Sequence, residues 1–522
     1  MYRAMKYTVK RCFVWLGEFR LDIKKLHEKP PYGMIAILFI GAFVAFLNNT
    51  LLNIALPTIM NEFSVKPSEV QWLTTGFMLV NGILIPASAF FIQKFTNRRL
   101  FITAMSLFSL GTIIAIFAPH FWILVAARMI QAAGSAMMMP LLMNIMLTAF
   151  PVERRGSAMG IFGLVMFTAP AIGPTLSGFI LESHSWRMLF IIVLPFALLT
   201  LIYAIFRLRN ITANREMTVD VFSLVLSSIG FGGLLYGFSS AGDKGWGAPI
   251  VYGTIAIGAI ALLIFVLRQF QMKEPMLDFK IYKHPMFALS SVISVVTSAA
   301  MFSAMILTPL YVQSIREISP LDAGILMLPG AILMGLMSPI TGRLFDKYGA
   351  RVMAVIGLSI TVITTYYMSE FGMESGYYYI MIIYTVRMVG MALVMMPVMT
   401  NGLNQLPGKS NPHGVAINST LQQVAGAIGS AILLTIMTTR MGSVGVTLMA
   451  DATDAGNMPT TAKGLAALQQ EIERQAMLEG ISYAFFIATL IAVVGLVLAF
   501  FIKRVEPPTS EQSTINPEEA EK

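Results

Sequence analysis

Long apolar stretches separated by short polar loops run along most of the chain. A helix needs about 20 mostly apolar residues to cross the hydrocarbon core of a bilayer. Fourteen stretches meet this requirement: 33–56, 70–92, 100–118, 121–149, 157–181, 187–206, 220–240, 249–267, 287–314, 321–343, 352–371, 377–400, 414–438 and 481–502. The pattern predicts an all-α integral membrane protein with fourteen transmembrane helices.

The composition agrees with a membrane location. Of the 522 residues, 56% are hydrophobic and 12% are charged, whereas a soluble domain carries roughly 25% charged residues. The single cysteine, Cys12, excludes a disulfide framework and a multi-cysteine metal site, and we predict neither a cofactor nor a metal. Residues 1–32 are basic and lack the apolar core of a signal peptide. They are expected to form either a helix on the inner leaflet or a dispensable extension.

The lysines and arginines predict the orientation of the chain. With the N-terminus inside, 27 of the 36 lie on the cytoplasmic side, 7 on the outer side and 2 within spans. Short loops rich in lysine and arginine stay in the cytoplasm. Both termini are therefore predicted to be cytoplasmic, and the net charge of +9 is an orientation signal rather than a nucleic-acid-binding face.

An internal repeat relates the two ends of the chain. Arg128, Met138-Met139-Pro140 and Asn144 in the fourth span correspond to Arg387, Met395-Met396-Pro397 and Asn401 in the twelfth, at offsets of 257 to 259 residues. Secondary transporters are commonly built from such repeats around a central site. The predicted parts are a basic N-terminal segment 1–32, a first half 33–206, a two-helix insert 207–284, a second half 285–505 that includes an outer loop 441–479, and a tail 506–522.

Three short sequences carry a family resemblance. The first span ends in LNNTLLNIALP (47–57), the fifth contains APAIGP (169–174), and GRLFDKYGAR (342–351) follows the tenth. They resemble motifs of the major facilitator superfamily, in particular its fourteen-span drug:proton antiporters (QacA/EmrB-like), and most closely the LmrB-type lincomycin exporters, over residues 33–505. The resemblance implies the major facilitator fold, two six-helix repeats plus two inserted helices.

The resemblance also implies residues that gate the transport cycle. Gly342, Asp346 and Arg351 would form a cytoplasmic latch, since glycine permits close helix approach and an aspartate can cap a helix or bind arginine. In the equivalent first-half loop Gln93 stands where an aspartate is usual, so the latch should depend on the second-half copy. The alternative is that these charges only set topology. In the fifth span, the hinge residues would be Pro170, Gly173 and Pro174.

The proton pathway is predicted from three charged residues. Arg128 begins an Arg-x-x-Gln-x-x-Gly sequence that resembles the superfamily's proton-transfer motif, and Arg387 lies at the matching position of the second half. The alternative is that these arginines snorkel, with their charged ends at the membrane surface. The middle of each predicted span lacks aspartate and glutamate. Glu182 and Asp322, near the outer ends of spans, are therefore the candidate proton carriers, with ordinary helix-end charges as the alternative.

The candidate substrate contacts are polar or flexible residues within the spans. Asn48 replaces a membrane aspartate of many relatives, and an amide can hydrogen-bond a substrate but cannot exchange a proton near neutral pH. The predicted pore residues are Asn48, Asn53, Met138, Asn144, Met396 and Asn401. For the asparagines the alternative is interhelical hydrogen bonding, and for the methionines it is packing.

Together these features predict a multidrug efflux transporter in a bacterial plasma membrane. It would act as a monomer and export amphipathic drug-like compounds, lincosamides among them, in exchange for protons by alternating access. The alternative is an exporter or flippase of an endogenous lipid, glycolipid or metabolite. An ATP-driven pump would need a phosphate loop, and Gly402 is one residue too far from Gly408-Lys409-Ser410 for that motif. The five histidines are scattered near span ends, so the sequence does not predict an enzyme.

Overall fold

The computed structural model describes residues 32–505 except 66, 71, 152–153, 209, 211–219 and 455–460, so the predicted N-terminal segment and tail lie almost wholly outside it. Fourteen long helices follow one another along the described chain: α1 (Tyr32–Phe63), α2 (Trp72–Lys94), α3 (Asn97–Ile116), α4 (Phe121–Ala149), α5 (Arg155–Leu181), α6 (Arg187–Arg207), α7 (Val221–Lys244), α8 (Pro249–Gln271), α9 (Pro285–Leu310), α10 (Pro320–Tyr348), α11 (Ala350–Ser369), α12 (Tyr377–Asn404), α13 (Asn411–Asp454) and α14 (Ala462–Ala499). Thirteen of these are long and apolar enough to cross a membrane within the described residues, and α5 occupies the predicted fifth span. The all-helical membrane class is confirmed.

The last two helices are longer than the predicted spans. α13 has 44 residues and α14 has 38, which at 1.5 Å per residue makes α13 roughly 66 Å long. The predicted outer loop 441–479 is therefore largely a continuation of these helices. Arg474 of α14 forms an ion pair with Glu317 at 3.3 Å and donates to the Ile315 carbonyl at 2.6 Å. This extension is thus fixed against the segment that follows α9.

Two helices from opposite halves, α5 and α10, pack against each other from end to end through small residues. A Cβ atom on Gly342 would lie 2.1 Å from the Gly156 carbonyl oxygen, and one on Gly335 would lie 2.3 Å from Thr168 Oγ1. At Gly342 a larger side chain could not fit without moving a helix, because it would meet backbone, whereas at Gly335 the Thr168 side chain would have to move. Gly342 therefore sets the separation of the halves at this end.

The two inserted helices cover a seam between the halves. α7 and α8 pack together, and α7 also packs on α2 of the first half and α13 of the second. Leu235 of α7 fills the space at Gly82, and the rings of Trp72 and Tyr236 lie 6.0 Å apart. The insert is therefore part of the bundle rather than a separate unit.

An ion pair fixes one end of the inserted hairpin. Asp220 caps α7 through the Ser223 N–H and accepts from Arg268 Nε at 3.0 Å. Burial raises the pKa of Asp220, but the hydrogen bonds from Arg268 and Ser223 outweigh burial and hold it below its ordinary value. The carboxylate therefore stays charged and tethers α7 to α8.

Candidate transport site and inner gate

A buried polar cluster joins α1, α3 and α4 around Arg128. Arg128 Nη1 donates to Gln131 Oε1 at 2.9 Å, and Arg128 Nη2 donates to Asn49 Oδ1 at 3.0 Å. Asn48 Nδ2 donates to the same Gln131 oxygen at 3.2 Å, and Gln131 Nε2 donates to Thr112 Oγ1 at 2.8 Å. We call these five residues the Arg128 cluster; it connects three helices through side chains alone.

Among the residues that the structure describes, the charge of Arg128 is held without a carboxylate. The side chain is 1% exposed, and its guanidinium lies 4.3 Å from the centroid of the Phe77 ring on α2. Within the part of the chain that the structure describes, Arg128 forms no ion pair and its Nε has no hydrogen-bond partner. Amide oxygens and an aromatic face offset only part of the cost of burying the charge. The cluster therefore holds a buried positive charge that none of the described carboxylates neutralises.

Arg387 occupies the matching place in the second half but has different partners. Its Nε donates to Thr365 Oγ1 of α11 at 3.1 Å, and its Nη2 donates to the Ala300 carbonyl of α9 at 3.0 Å. Its Nη1 has no hydrogen-bond partner among the described residues. Both arginines are completely buried between helices, so neither follows the snorkelling alternative.

Asp346 joins the two halves at one end of the bundle. We call this end, formed by the residues near 93–99 and 343–351, the inner face; the charge pattern predicts that it is cytoplasmic. Asp346 Oδ1 accepts from the Gly156 N–H at 2.9 Å, and Oδ2 accepts from the Ser157 N–H at 3.0 Å and hydroxyl at 2.8 Å. The carboxylate thus caps the N-terminus of α5, where the helix dipole favours a negative charge.

The other predicted latch residues lie around this cap. Gly342 lies one turn before Asp346, where it allows the close approach to Gly156. Arg351 is exposed; instead it is Arg504 that donates to the Asp346 backbone carbonyl, at 2.9 Å. Between α10 and α11, Gly349 has φ +81°, a left-handed conformation that favours glycine.

A second contact closes the inner face between α2 and α13. Gln93 Nε2 lies 3.1 Å from His413 Nε2, and it also donates to the Ala89 carbonyl at 3.1 Å. His413 Nδ1 accepts from the Asp278 backbone N–H at 3.3 Å. Arg155 Nη1 adds a further bond between the halves, to Asn404 Oδ1 at 3.1 Å. The halves are therefore joined at the inner face by several independent polar contacts.

The predicted pore residues are dispersed rather than gathered. Met138, Asn144 and Met396 are buried among helices. Asn401 bonds the backbone of Lys503 and Val505, so its amide fixes the segment that follows α14. Asn48 takes part in an interhelical hydrogen bond, which leaves a substrate contact as a prediction. The side chains of Asn53, Pro170 and Pro174 lie outside the described residues, and Gly173 packs closely on Thr50.

The two predicted proton carriers lie at helix ends. Glu182 is exposed. Asp322 is also exposed. Its backbone N–H donates to the Ser319 hydroxyl, which caps the start of α10 and itself donates to the Asp322 carboxylate. Asp322 also borders a groove of about 680 Å³ between α10 and α12. The structure places neither acid near Arg128, so their coupling role stays a prediction.

Sequence reasoning missed two groups of residues. Asn49 and Thr112 belong to the Arg128 cluster. Asn49 could have been found because it follows Asn48, and Thr112 because the repeat relates it to Thr365, at an offset of 253 residues. Glu62 accepts from Trp186 Nε1 and pairs with Arg187 at 2.6 Å. Burial raises the pKa of Glu62, but these hydrogen bonds outweigh burial and hold it below its ordinary value.

Comparisons with known proteins agree on the kind of protein. The family model described as Major Facilitator Superfamily matches residues 38–430. The lincomycin resistance protein LmrB of Bacillus subtilis is 41% identical over 91% of this chain and 96% of its own. A multidrug resistance protein B homolog of Mycobacterium tuberculosis is 26% identical over 93% and 91%. The crystal structure of the human organic anion transporter MFSD10 resembles the fold with a TM-score of 0.59, at 13% identity, over 89% of this chain and 100% of that one.

Proposed function

Because the chain belongs to the major facilitator superfamily, we propose that it exports amphipathic drug-like compounds across the plasma membrane in exchange for protons. The observation that carries the proposal is the set of contacts that closes the inner face. Asp346 binds the N-terminus of a helix 190 residues away, and such a bond can form in one state and break in the other. Alternating access requires contacts of this kind between two halves.

The substrate class is supported by the relatives and by the Arg128 cluster. Relatives of similar length include a lincomycin resistance protein and a multidrug resistance homolog. Amide side chains and a buried guanidinium can bind the carbonyl and hydroxyl oxygens of a lincosamide. Asn48, Asn53, Met138, Asn144, Met396 and Asn401 remain the proposed contacts along the path.

We place proton coupling at the Arg128 cluster together with an acid that can titrate. Arg128 has no ion pair among the described residues, so an incoming anionic group could bind it. Glu182 and Asp322 are the proposed proton carriers, since both face the outer end of the bundle where protons enter. The hinge at Pro170, Gly173 and Pro174 would let α5 bend while the latch opens.

Resistance profiling in a host without its major exporters tests the proposal. Cells that express the chain should tolerate several amphipathic compounds, lincomycin among them, and a protonophore should abolish the tolerance. An Asp346→Asn variant should reduce it, because a neutral amide loses the charge that favours the N-terminus of α5. Tolerance that persists without a proton gradient would refute antiport.

A second function is favoured by the groove between α10 and α12. Its walls are apolar and include Ile325, Ile332 and Leu333, all of which are partly exposed on the outside of the bundle. Such a surface can hold an acyl chain, so an exporter or flippase of a lipid or glycolipid is the competing proposal. Absence of resistance to every compound, together with altered lipid export, would favour it.

A further inference from the structure

The two contacts that close the inner face are related by the internal repeat. Asp346 corresponds to Gln93 at an offset of 253 residues, and Ser157 corresponds to His413 at an offset of 256. In one copy a carboxylate meets the N-terminus of α5; in the other an amide meets an imidazole in the first turn of α13. The fold thus has a contact between the halves at equivalent positions of both repeats. The second contact contains the imidazole of His413, a group that can change charge near neutral pH.

The hydrogen bonds at His413 specify which form of the imidazole fits. A backbone N–H is always a donor, so the bond from Asp278 requires that Nδ1 carries no proton. The Gln93 amide, as oriented by its bond to the Ala89 carbonyl, also directs an N–H group at Nε2. Rotation of that amide would place its oxygen against the Ala89 carbonyl oxygen, so its N–H group stays directed at the ring. Two donors therefore face the imidazole: a neutral ring, which has one unprotonated nitrogen, accepts from one of them, and a doubly protonated ring accepts from neither.

Few charged groups lie on the elements that pack around this ring. α13 carries no other charged residue before Arg440, α9 carries none, and α12 carries none after Arg387. The charges nearby in the chain are Lys409, four residues before His413, Lys94 at the end of α2, and Asp278, Lys280 and Lys283 before α9. Lys94 lies over the rings of Phe90 and Phe95, and the Asp278 carboxylate accepts from the Lys280 backbone N–H. His413 is itself 8% exposed, so water has little access while the contact is closed.

We propose that His413 is a positioning residue that holds the inner face closed only while its imidazole is neutral. Protonation removes the last acceptor on the ring and places a positive charge against the Gln93 and Asp278 donors, so the contact between α2 and α13 is lost. Acidification at the inner face therefore shifts the protein toward the state that is open on that side. The inference rests on the proposed alternating access, and it adds a dependence on inner pH through a group other than Asp346.

Spin-label distances test this inference without any transport assay. A Cys12→Ser chain with labels at positions 95 and 348, both exposed on the inner face in different halves, is reconstituted and measured between pH 5.5 and 8.5. One linked proton changes the ratio of closed to open populations by up to about tenfold per pH unit. The closed distance should therefore gain population as pH rises.

Two variants separate the inference from a structural effect. His413→Asn keeps an acceptor near the place of Nδ1 but cannot titrate, so its distance distribution should be independent of pH. Gln93→Glu places a carboxylate beside the ring, which stabilises a protonated ring within the closed contact, so the face should stay closed to lower pH than in the parent chain. Asp346→Asn, the matched control, should raise the open population at every pH and leave its dependence on pH unchanged.

The outcomes distinguish this inference from the proposed function. A pH-independent distance in the parent chain, or an unchanged slope in His413→Asn, would overturn the role of His413 while alternating access survives. A single distance in every variant, Asp346→Asn included, would instead contradict alternating access itself. Size-exclusion profiles of each variant show that the measured protein is folded.

Discussion

Arg128 and Arg387 lie at equivalent depths of the two halves, yet their surroundings differ in kind. Arg128 is bound by side-chain amides of α1 and α4 and faces an aromatic ring, whereas Arg387 is bound by one hydroxyl and one backbone carbonyl. At the position equivalent to Gln131 the second half has Gly390, where a Cβ would lie 2.8 Å from the Gly357 carbonyl oxygen. There is no space for an amide there.

The difference indicates how one motif can serve two purposes. Amide side chains can rotate and exchange partners, so the Arg128 cluster can rearrange around a substrate or a proton. A backbone carbonyl in a helix cannot move independently, so Arg387 mainly fixes α9, α11 and α12 relative to one another. We therefore expect transport to depend on Arg128 and folding to depend on the environment of Arg387.

Replacing each arginine by methionine should show the largest effect. Arg128→Met removes two bonds to a charged group, each worth roughly 1.5–3 kcal/mol, and 1.36 kcal/mol is about tenfold in rate. Transport of lincomycin or a dye in vesicles should fall by at least about tenfold. Arg387→Met should lower the melting temperature but retain transport within about twofold in the folded protein, because the bonds of Arg387 to Thr365 and Ala300 hold helices together. Equal losses of transport in the two variants would contradict the proposed difference between Arg128 and Arg387.

Replacing Gln131 by leucine should have the next largest effect. The substitution leaves Arg128 Nη1, Asn48 and Thr112 without their shared partner. Unsatisfied buried polar groups cost about 1–3 kcal/mol each. The melting temperature in detergent should fall, and transport should fall with it. A variant with wild-type melting and transport would show that the cluster is dispensable.

A matched pair of threonines sharpens the comparison. Thr365→Val removes an acceptor from a buried guanidinium, whereas Thr112→Val removes an acceptor from a neutral amide. Hydrogen bonds to charged groups are worth about 1.5–3 kcal/mol and neutral ones about 1 kcal/mol. Thr365→Val should therefore lower the melting temperature more than Thr112→Val. A larger decrease in melting temperature for Thr112→Val would indicate that the Arg128 cluster, not the surroundings of Arg387, has the structural role.

The smallest effect is expected from Asn49→Asp. A carboxylate would accept from Arg128 Nη2 at the position where the amide oxygen now lies, 3.0 Å away. The charge-assisted bond should stabilise the protein by about 1 kcal/mol, raise the melting temperature and slow transport, because Arg128 would no longer exchange partners freely. Asn49→Ser serves as the neutral control. Faster transport in the aspartate variant would contradict the exchange of partners.

The latch shows what can be predicted from the sequence and what cannot. The loop sequence predicted that Asp346 could cap a helix N-terminus, and the structure shows that it caps α5. The sequence indicates only that Gln93 stands where an aspartate is usual and that His413 is one of five scattered histidines. Their contact joins residues 320 positions apart, and no local pattern indicates such a pair.

By itself the sequence determined the class, the number of spans and the repeat, because each depends on local hydrophobicity or on comparison of the chain with itself. Tertiary structure decided the partners: Asn48 meets Gln131 across 83 residues, and Gly156 meets Asp346 across 190. Helix packing brings these groups together, and packing depends on where small residues such as Gly156 and Gly342 let the helices approach. A motif can therefore indicate that a polar residue inside a membrane has a partner, while only the folded bundle selects that partner.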